Sequence, residues 1–358
     1  MADIALTAIR ELGDRRGEAL VLNNLGIALQ QARRFEEAII AHQDAAAICQ
    51  ELGDRHGEDV ALINLGLALR EVRRFEEAIT ACQDAAAICQ ELGDRHGEGQ
   101  ALNNLGLALR EVRRFEEAIT AHQDAAAICQ ELGDRHGEAL VLNNLGIALQ
   151  EARKFEEAIT VHQQDLAICR ELGDRHREGM ALNNLGLALR QVRRFEEAIT
   201  ACQDAAAICQ ELGDRHGEGM ALNNLGLALQ EVERFDEAIT VHQQDLAICQ
   251  ELDDWHREAW ALNNLGLALQ GAQRFEEAIT AHQDAAAICR ELGNRYGEGQ
   301  ALNNLGIALQ EVERFDEAIT VLQNAITIFN QLEDAHAVSV ASNFLERTRR
   351  LGDEDAPS

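Results

Sequence analysis

Histidine and cysteine, which often bind metals or act as nucleophiles, recur along this sequence at regular intervals. One register, spaced by 40 residues, holds His42, Cys82, His122, His162, Cys202, His242, His282 and Leu322. A cysteine register follows seven residues later, beginning at Cys49. Zinc ligands on one helix usually lie three or four residues apart, whereas seven residues span about 10 Å of helical rise. Because histidine, cysteine and leucine also share the first register, we predict a buried packing position and no metal site.

A second series of histidines falls in the short segments that precede predicted helices. Its members are His56, His96, His136, His176, His216 and His256. We expect these side chains to be solvated or to cap helices. Neither series is accompanied by a Ser-His-Asp arrangement or a glycine-rich phosphate loop, so the sequence predicts no catalytic residue and no cofactor.

Pairs of asparagines precede a Leu-Gly dipeptide at the same intervals, from the pair at Asn23 to the pair at Asn303, with Ile63 replacing one first member. Asparagine is unfavourable inside helices because its side chain competes for backbone hydrogen bonds. Its carboxamide donates and accepts, and therefore matches a peptide backbone. The alternative is that the amides bond a neighbouring loop or helix, and we favour this structural role for the second asparagine of each pair.

The charge of the chain limits its partners. Its 358 residues include 32 basic and 62 acidic side chains, which give a formal net charge of −30. Such a surface repels phosphate, so we expect neither nucleic acid nor an anionic membrane as a partner, but a protein segment with basic residues. No run of 18 apolar residues and no apolar signal core is present. Nine cysteines, an odd number without a CxxC pair, predict a cytoplasmic location.

Composition predicts an all-α protein. Proline occurs once, as Pro357, and a long chain without internal proline favours helix nearly throughout. Hydrophobic residues make up 46% of the chain but aromatic residues only 4%. The core must therefore consist of alanine, leucine and isoleucine.

The sequence repeats every 40 residues, a period marked by Phe35, Phe75, Phe115, Phe155, Phe195, Phe235, Phe275 and Phe315. In the repeat of residues 93–132, apolar residues between Leu102 and Val112 recur three and four positions apart, as on one helix face. A second helix begins at Phe115, and Gly133 terminates it. Asp134 can cap the next helix. Helical hairpins at a fixed period form a solenoid, here with eight repeats over residues 13–332.

The sequence at the two ends of the array predicts a leading helix and a terminal capping helix. Residues 1–12 match the end of a second helix and predict a leading half-repeat helix. Residues 333–350 match a first helix with a polar outer face, as a terminal capping helix requires. Residues 351–358 predict a disordered tail. Because the chain begins within a repeat, we expect it to be part of a longer protein.

These residues resemble the tetratricopeptide repeat, whose pattern is W-x2-L-G-x2-Y, then A-x3-F, then P. The third repeat gives Leu102-x2-Leu105-Gly106-x2-Leu109, then Ala118-x3-His122. The long period is similar to kinesin light chain, to leucine-glycine-asparagine spindle adaptors and to actinobacterial regulator arrays. The resemblance implies a right-handed superhelical α-solenoid that binds peptides or proteins without catalysis.

The resemblance also places one face of each first helix in a concave groove. The first asparagine of each pair would form a ladder that holds an extended peptide backbone: Asn23, Asn103, Asn143, Asn183, Asn223, Asn263 and Asn303. Three arginines would clamp acidic groups, or else pair with neighbouring glutamates: Arg70, Arg110 and Arg190. An apolar edge would be formed by Met180, Met220 and Trp260. Packing between repeats is an equal alternative for the tryptophan.

We therefore predict a non-catalytic scaffold that binds a protein or peptide segment. The alternative is an array that mediates oligomerisation or autoinhibition in a larger bacterial signalling regulator, with a homo-oligomer as one form of partner. No P-loop occurs in the chain, so we expect no NTPase module within it.

Overall fold

The computed structural model describes Thr7 and residues 9–354, and every regular element in that part of the chain is an α-helix. The helices fall into two compact units, Met1–Asp174 and Arg175–Ser358. The first unit contains α1 (Arg15–Gln31), α2 (Phe35–Leu52), α3 (Arg55–Glu71), α4 (Phe75–Leu92), α5 (Arg95–Glu111), α6 (Phe115–Leu132), α7 (Arg135–Glu151) and α8 (Phe155–Leu172). The second contains α9 (Arg175–Gln191), α10 (Phe195–Leu212), α11 (Arg215–Glu231), α12 (Phe235–Glu251), α13 (Trp255–Gly271), α14 (Phe275–Glu291), α15 (Arg295–Glu311), α16 (Phe315–Gln331) and α17 (Ala335–Glu354).

Each repeat is a hairpin of two helices, which confirms the predicted eight-repeat α-solenoid architecture. Local signals explain where the first helix of a repeat begins. α5 follows Asp94, whose Oδ1 accepts a hydrogen bond from the Gly97 amide at 3.0 Å. Arg95 and Glu98 form an ion pair of 2.6 Å in the first turn, where an acidic side chain also favours the helix dipole.

The two helices of a repeat end in different ways. α6 ends before Gly133, which adopts the left-handed conformation at φ 69°, as predicted. α5 ends in a three-residue link, residues 112–114, in which Arg113 is left-handed at φ 61°. The link is stabilised by two backbone hydrogen bonds, from Arg113 to the Arg110 carbonyl and from Arg114 to the Leu109 carbonyl.

Small residues allow the helices of one repeat to pack closely. Ala101, Ala108 and Ala118 are at most 1% exposed. Gly106 lies so near His122 that a Cβ there would be 2.6 Å from the imidazole ring. The core is thus formed by alanine, leucine and isoleucine around a glycine contact in each first helix, as the composition indicated.

Substitution of Gly186 tests this close approach. A Cβ at Gly186 would overlap the Cys202 sulfur and lie 3.4 Å from the Ala198 carbonyl oxygen. We expect Gly186→Leu to lower the free energy of unfolding by about 1–3 kcal/mol, because overpacking forces neighbouring atoms apart. Urea unfolding followed by circular dichroism measures the change. Gln191→Leu, at an exposed position of the same helix, is the control, and equal stability of the two variants would contradict the packing.

The last helix differs from its prediction in length. α17 exposes Arg347 and Arg349, while Thr348 is buried and donates to Gln310 Oε1 at 2.9 Å. It runs to Glu354, so residues 351–354 are helical rather than a disordered tail; Gly352 there approaches the Phe315 side chain. Residues 355–358 lie outside the described part, as do residues 1–6 and 8 of the predicted leading helix.

Among the described helices, none combines the length and the apolar character needed to cross a membrane.

Candidate binding groove

The predicted groove face is best seen in the second unit, where a cleft of about 480 Å³ runs along the first helices of its repeats. Side chains on one helix face recur three and four residues apart, so each helix presents the same stripe. The cleft is lined by Asn183, Asn184, Leu187, Met220, Asn223, Asn224, Asp245, Arg257 and Trp260. These residues come from α9, α11, α12 and α13.

Large apolar side chains form an exposed edge of the cleft. Trp260 is 56% exposed and Met220 is 41% exposed, and both line it. Met180 is 45% exposed at the equivalent position of α9, but it is not among the lining residues. The exposure of Trp260 favours a surface role over the alternative of packing between repeats.

The asparagines form hydrogen bonds between consecutive repeats. The second asparagine of one pair donates from Nδ2 to Oδ1 of the first asparagine of the preceding repeat. These bonds are Asn64 to Asn23 at 3.2 Å, Asn144 to Asn103 at 3.1 Å, Asn224 to Asn183 at 2.9 Å, Asn264 to Asn223 at 2.8 Å and Asn304 to Asn263 at 3.0 Å. The structural role predicted for the second asparagine is confirmed.

The same bonds change what the first asparagine can offer a ligand. The Oδ1 atoms of Asn183 and Asn223 already accept a hydrogen bond, although a carboxamide was expected to donate and accept freely. Their Nδ2 groups donate to no protein acceptor in the part of the chain that the structure describes. The cleft therefore presents amide donors, which suit carbonyl or carboxylate oxygens. Asn183 is only 9% exposed, so a ligand must enter the cleft to reach it.

The amide network stops where the sequence departs from the repeat. Ile63 replaces the first asparagine of the second repeat and interrupts the series. At the other end, Oδ1 of Asn303 is buried and has no hydrogen-bond partner within the described residues. The residue 41 positions later is Phe344, which has no amide to donate.

Two of the three predicted groove arginines lie close to glutamates. Arg110 Nε lies 3.4 Å from Glu151 Oε2, and Arg70 Nη2 lies 3.7 Å from Glu71 Oε1. This geometry favours the alternative of pairing with neighbouring acids. Arg190 precedes Gln191 instead of a glutamate, and its Nε is buried without a hydrogen-bond partner among the described residues.

Where glutamine occupies the arginine register, it links consecutive first helices. Gln230 Nε2 donates to the Asn264 carbonyl oxygen at 3.0 Å, and Gln270 Nε2 donates to the Asn304 carbonyl oxygen at 3.0 Å. This register therefore lies at a contact between repeats.

A buried ion pair at the cleft was missed by the sequence analysis. Asp245 is 2% exposed, and its Oδ1 accepts a hydrogen bond from Arg257 Nη2 at 2.8 Å. Burial raises the pKa of Asp245 to about 6, although Arg257 opposes this shift. Arg257 itself lines the cleft, and its Nη1 is buried with no hydrogen-bond partner among the described residues. A signal existed, because Asp165 and Arg177 depart from the repeat in the same paired way.

Sequence models of the tetratricopeptide repeat match nearly the whole array. The matched segments are residues 19–56, 57–131, 98–171, 177–251, 217–291 and 257–331. The chain belongs to the tetratricopeptide repeat family. A search of curated proteins finds no significant match.

Several solved structures share the fold. A signal transduction ATPase with numerous domains from Pyrococcus horikoshii, which has a tetratricopeptide repeat sensor, is 15% identical with a TM-score of 0.70, covering 91% of this chain and 50% of that one. The apo quorum sensor NprR from B. thuringiensis is 12% identical with a TM-score of 0.61, covering 88% of each chain. A Rap protein complexed with competence and sporulation factor is 17% identical with a TM-score of 0.53, covering 95% of this chain and 99% of that one. At these identities the likeness shows the fold alone.

In this tetratricopeptide repeat chain, the first histidine register lies beneath the glycine of each first helix. Its five histidines are 0% exposed, and burial lowers the pKa of each to about 4. Burial likewise raises the pKa of Cys82 and Cys202 to about 12, so these thiols are poor nucleophiles. The predicted packing role of this register is confirmed.

Other clefts in the first unit lie outside the asparagine face. Three of them, each about 490–520 Å³, share one lining that recurs with the tetratricopeptide repeat period. One is bounded by Ala87, Leu102 and the ion pair of Arg95 with Glu98. Since both charges already have partners, these clefts offer a ligand less than the asparagine cleft does.

Proposed function

We propose that this chain is a non-catalytic scaffold whose first-helix face binds an extended protein or peptide segment. The observation that carries the proposal is the cleft in the second unit, where exposed Trp260 and Met220 lie beside the amides of Asn183 and Asn223. An apolar anchor next to a few polar groups is the usual composition of a binding site. The neighbours crystallised as a quorum sensor and as a factor-bound Rap protein support a recognition role.

The donors in the cleft determine how the segment would be held. Nδ2 of each asparagine would donate to a backbone carbonyl of the partner, while Oδ1 stays bonded to the next repeat. Trp260 and Met220 would bury an apolar side chain. The asparagine ladder thus becomes a row of donors, with the other ladder positions repeating this role.

Charge is the second element of the proposal. The net charge of −30 would attract a partner segment with basic residues and disfavour nucleic acid and anionic membranes. We also propose a cytoplasmic location, on the basis of nine cysteines with no CxxC spacing.

The test uses the only two tryptophans of the chain, Trp255 and Trp260. A peptide is first selected from a random displayed library against the immobilised full chain. In the Trp255→Phe variant, Trp260 is the sole tryptophan, and its burial by the bound peptide should shift its fluorescence to shorter wavelength. In the matched Trp260→Phe variant, Trp255 lies outside the cleft and its emission should not change. If only the emission of Trp255 shifted, the peptide would bind outside the cleft, which would contradict the proposal.

The second candidate is an oligomerising or autoinhibitory array within a larger signalling regulator. Its support is the Pyrococcus horikoshii ATPase with a tetratricopeptide repeat sensor, half of whose chain aligns with 91% of this one. Light scattering over a range of concentrations separates the candidates, because a chain that remains monomeric disfavours oligomerisation.

A further inference from the structure

A cluster of potential metal ligands lies in the first unit, whereas the asparagine cleft belongs to the second. It combines His56 and Asp59 on α3 with Asp94, which caps α5. One ligand atom from each of these residues lies within 4.8 Å of the other two. The three come from different turns and segments, so spacing along a single helix does not reveal the cluster.

Asp59 is the unusual member of this cluster. The equivalent residue in every other repeat is small: Ala19, Gly99, Ala139, Gly179, Gly219, Ala259 and Gly299. Asp59 is nevertheless 1% exposed. A buried carboxylate is costly unless a cation or several hydrogen bonds compensate its charge. The nearest arginine along the helix, Arg55, already pairs with Glu58 and Glu91.

The two oxygens of Asp59 have different surroundings. Oδ2 accepts a hydrogen bond from Cys89 Sγ at 3.4 Å and lies 3.5 Å from His56 Nδ1. Oδ1 is buried and has no hydrogen-bond partner within the described residues. The thiol therefore orients the carboxylate, as outer-shell donors orient metal ligands, and leaves one oxygen available.

The donor set indicates which cation would bind. An imidazole nitrogen with two carboxylate oxygens suits zinc, whose bonds of about 2.0–2.2 Å place tetrahedral ligand atoms about 3.3–3.6 Å apart. His56 Nδ1 and Asp59 Oδ2 already have this separation, at 3.5 Å, so Asp59 would ligate through the oxygen that Cys89 holds, which keeps a second lone pair, while Oδ1 lies beside it on the same carboxylate. Asp94 Oδ1 is engaged by the Gly97 amide, so its second oxygen would be the ligand. The His56 side chain is 73% exposed, which gives a cation an entry path.

We propose that His56, Asp59 and Asp94 bind one Zn²⁺ ion, with water as the fourth ligand and Cys89 holding the Asp59 carboxylate. This departs from the sequence-based expectation of no metal site, in which His56 belonged to a series expected to be solvated or to cap helices. This proposal does not depend on the proposed peptide groove, because the two sites share no residue.

Isothermal titration of the metal-free full chain with zinc chloride tests the proposal. We expect one Zn²⁺ per chain, and a melting temperature that rises with zinc. Asp59→Gly, which installs the residue of the next repeat, should retain the fold. It should weaken zinc binding by more than the roughly 10–100-fold that loss of an outer-shell partner costs. His56→Ala should weaken binding by at least about tenfold.

The matched control is His96→Ala. His96 is the equivalent of His56 in the next repeat, but that repeat has Gly99 where the second repeat has the buried Asp59. Zinc binding unchanged in this variant supports the site. The proposal is overturned if the unmodified chain takes up no stoichiometric zinc. It is equally overturned if Asp59→Gly binds zinc as tightly as the unmodified chain, since the histidines alone would then account for binding.

Discussion

Lowering the pH from about 6.5 to about 4 is expected to destabilise the folded chain by several kcal/mol. Five fully buried histidines have pKa values lowered from 6.5 to about 4 by burial, with Arg110 adding to the effect on His122. In this range the unfolded chain binds protons that the folded chain does not, so stability falls as the pH falls. At about pH 4, each buried histidine lowers the free energy of unfolding by up to about 3 kcal/mol.

The repeats themselves offer the matched variant, because cysteine already occupies the same position in Cys82 and Cys202. His122→Cys should be as stable as the unmodified chain near neutral pH and about 2 kcal/mol more stable at pH 4.5. His136→Cys is the control because it removes an exposed histidine. It shows whether the pH dependence of stability follows the burial of the histidine or only the number of histidines. Urea unfolding at a series of pH values measures both. Parallel pH profiles for His122→Cys and the unmodified chain would show that the buried imidazoles are not responsible.

The second large effect is expected in the cleft. Trp260→Ala should weaken binding of the selected peptide by about 2 kcal/mol or more, as loss of a large aromatic anchor usually does. Asn183→Asp and Asn223→Asp should each cost about 1 kcal/mol, because aspartate has no amide hydrogen to donate. Both aspartates keep the Oδ1 acceptor for the next repeat, so the folded state should persist. Titration calorimetry beside a circular-dichroism melt measures the two effects separately.

The added charge of the aspartates needs its own control. Gln203→Glu and Gln243→Glu place the same charge at exposed positions outside the cleft, and they should leave peptide binding nearly unchanged. Binding of a basic peptide should also weaken as salt rises. If both aspartate variants bind as tightly as the unmodified chain, the asparagines serve only the bonds between repeats.

The period of the sequence predicted most of the fold. The 40-residue spacing of Phe35 and its equivalents, the apolar stripes and Gly133 located both helices of each repeat within a few residues. The period also indicated that His122 and Cys202 occupy equivalent buried positions in their repeats. Side chains of such different chemistry are interchangeable where the position requires packing and not a particular reaction. These features were readable since they depend on contacts within one hairpin, whose two helices lie close together in the sequence.

The sequence by itself therefore determined the helical hairpin, its tetratricopeptide repeat character and the acidic surface. Only the tertiary structure decided which polar groups meet across helices. The bond from Asn224 to Asn183, the pair of Asp245 with Arg257 and the cluster around Asp59 join residues on different helices, at distances that the repeat period does not specify. A hydrogen bond or a metal bond tolerates an error of only a few tenths of an ångström, whereas an apolar stripe requires only that its residues share one face of the helix. For this reason the pattern predicted the core, while the placement of donors and acceptors required the packed helices.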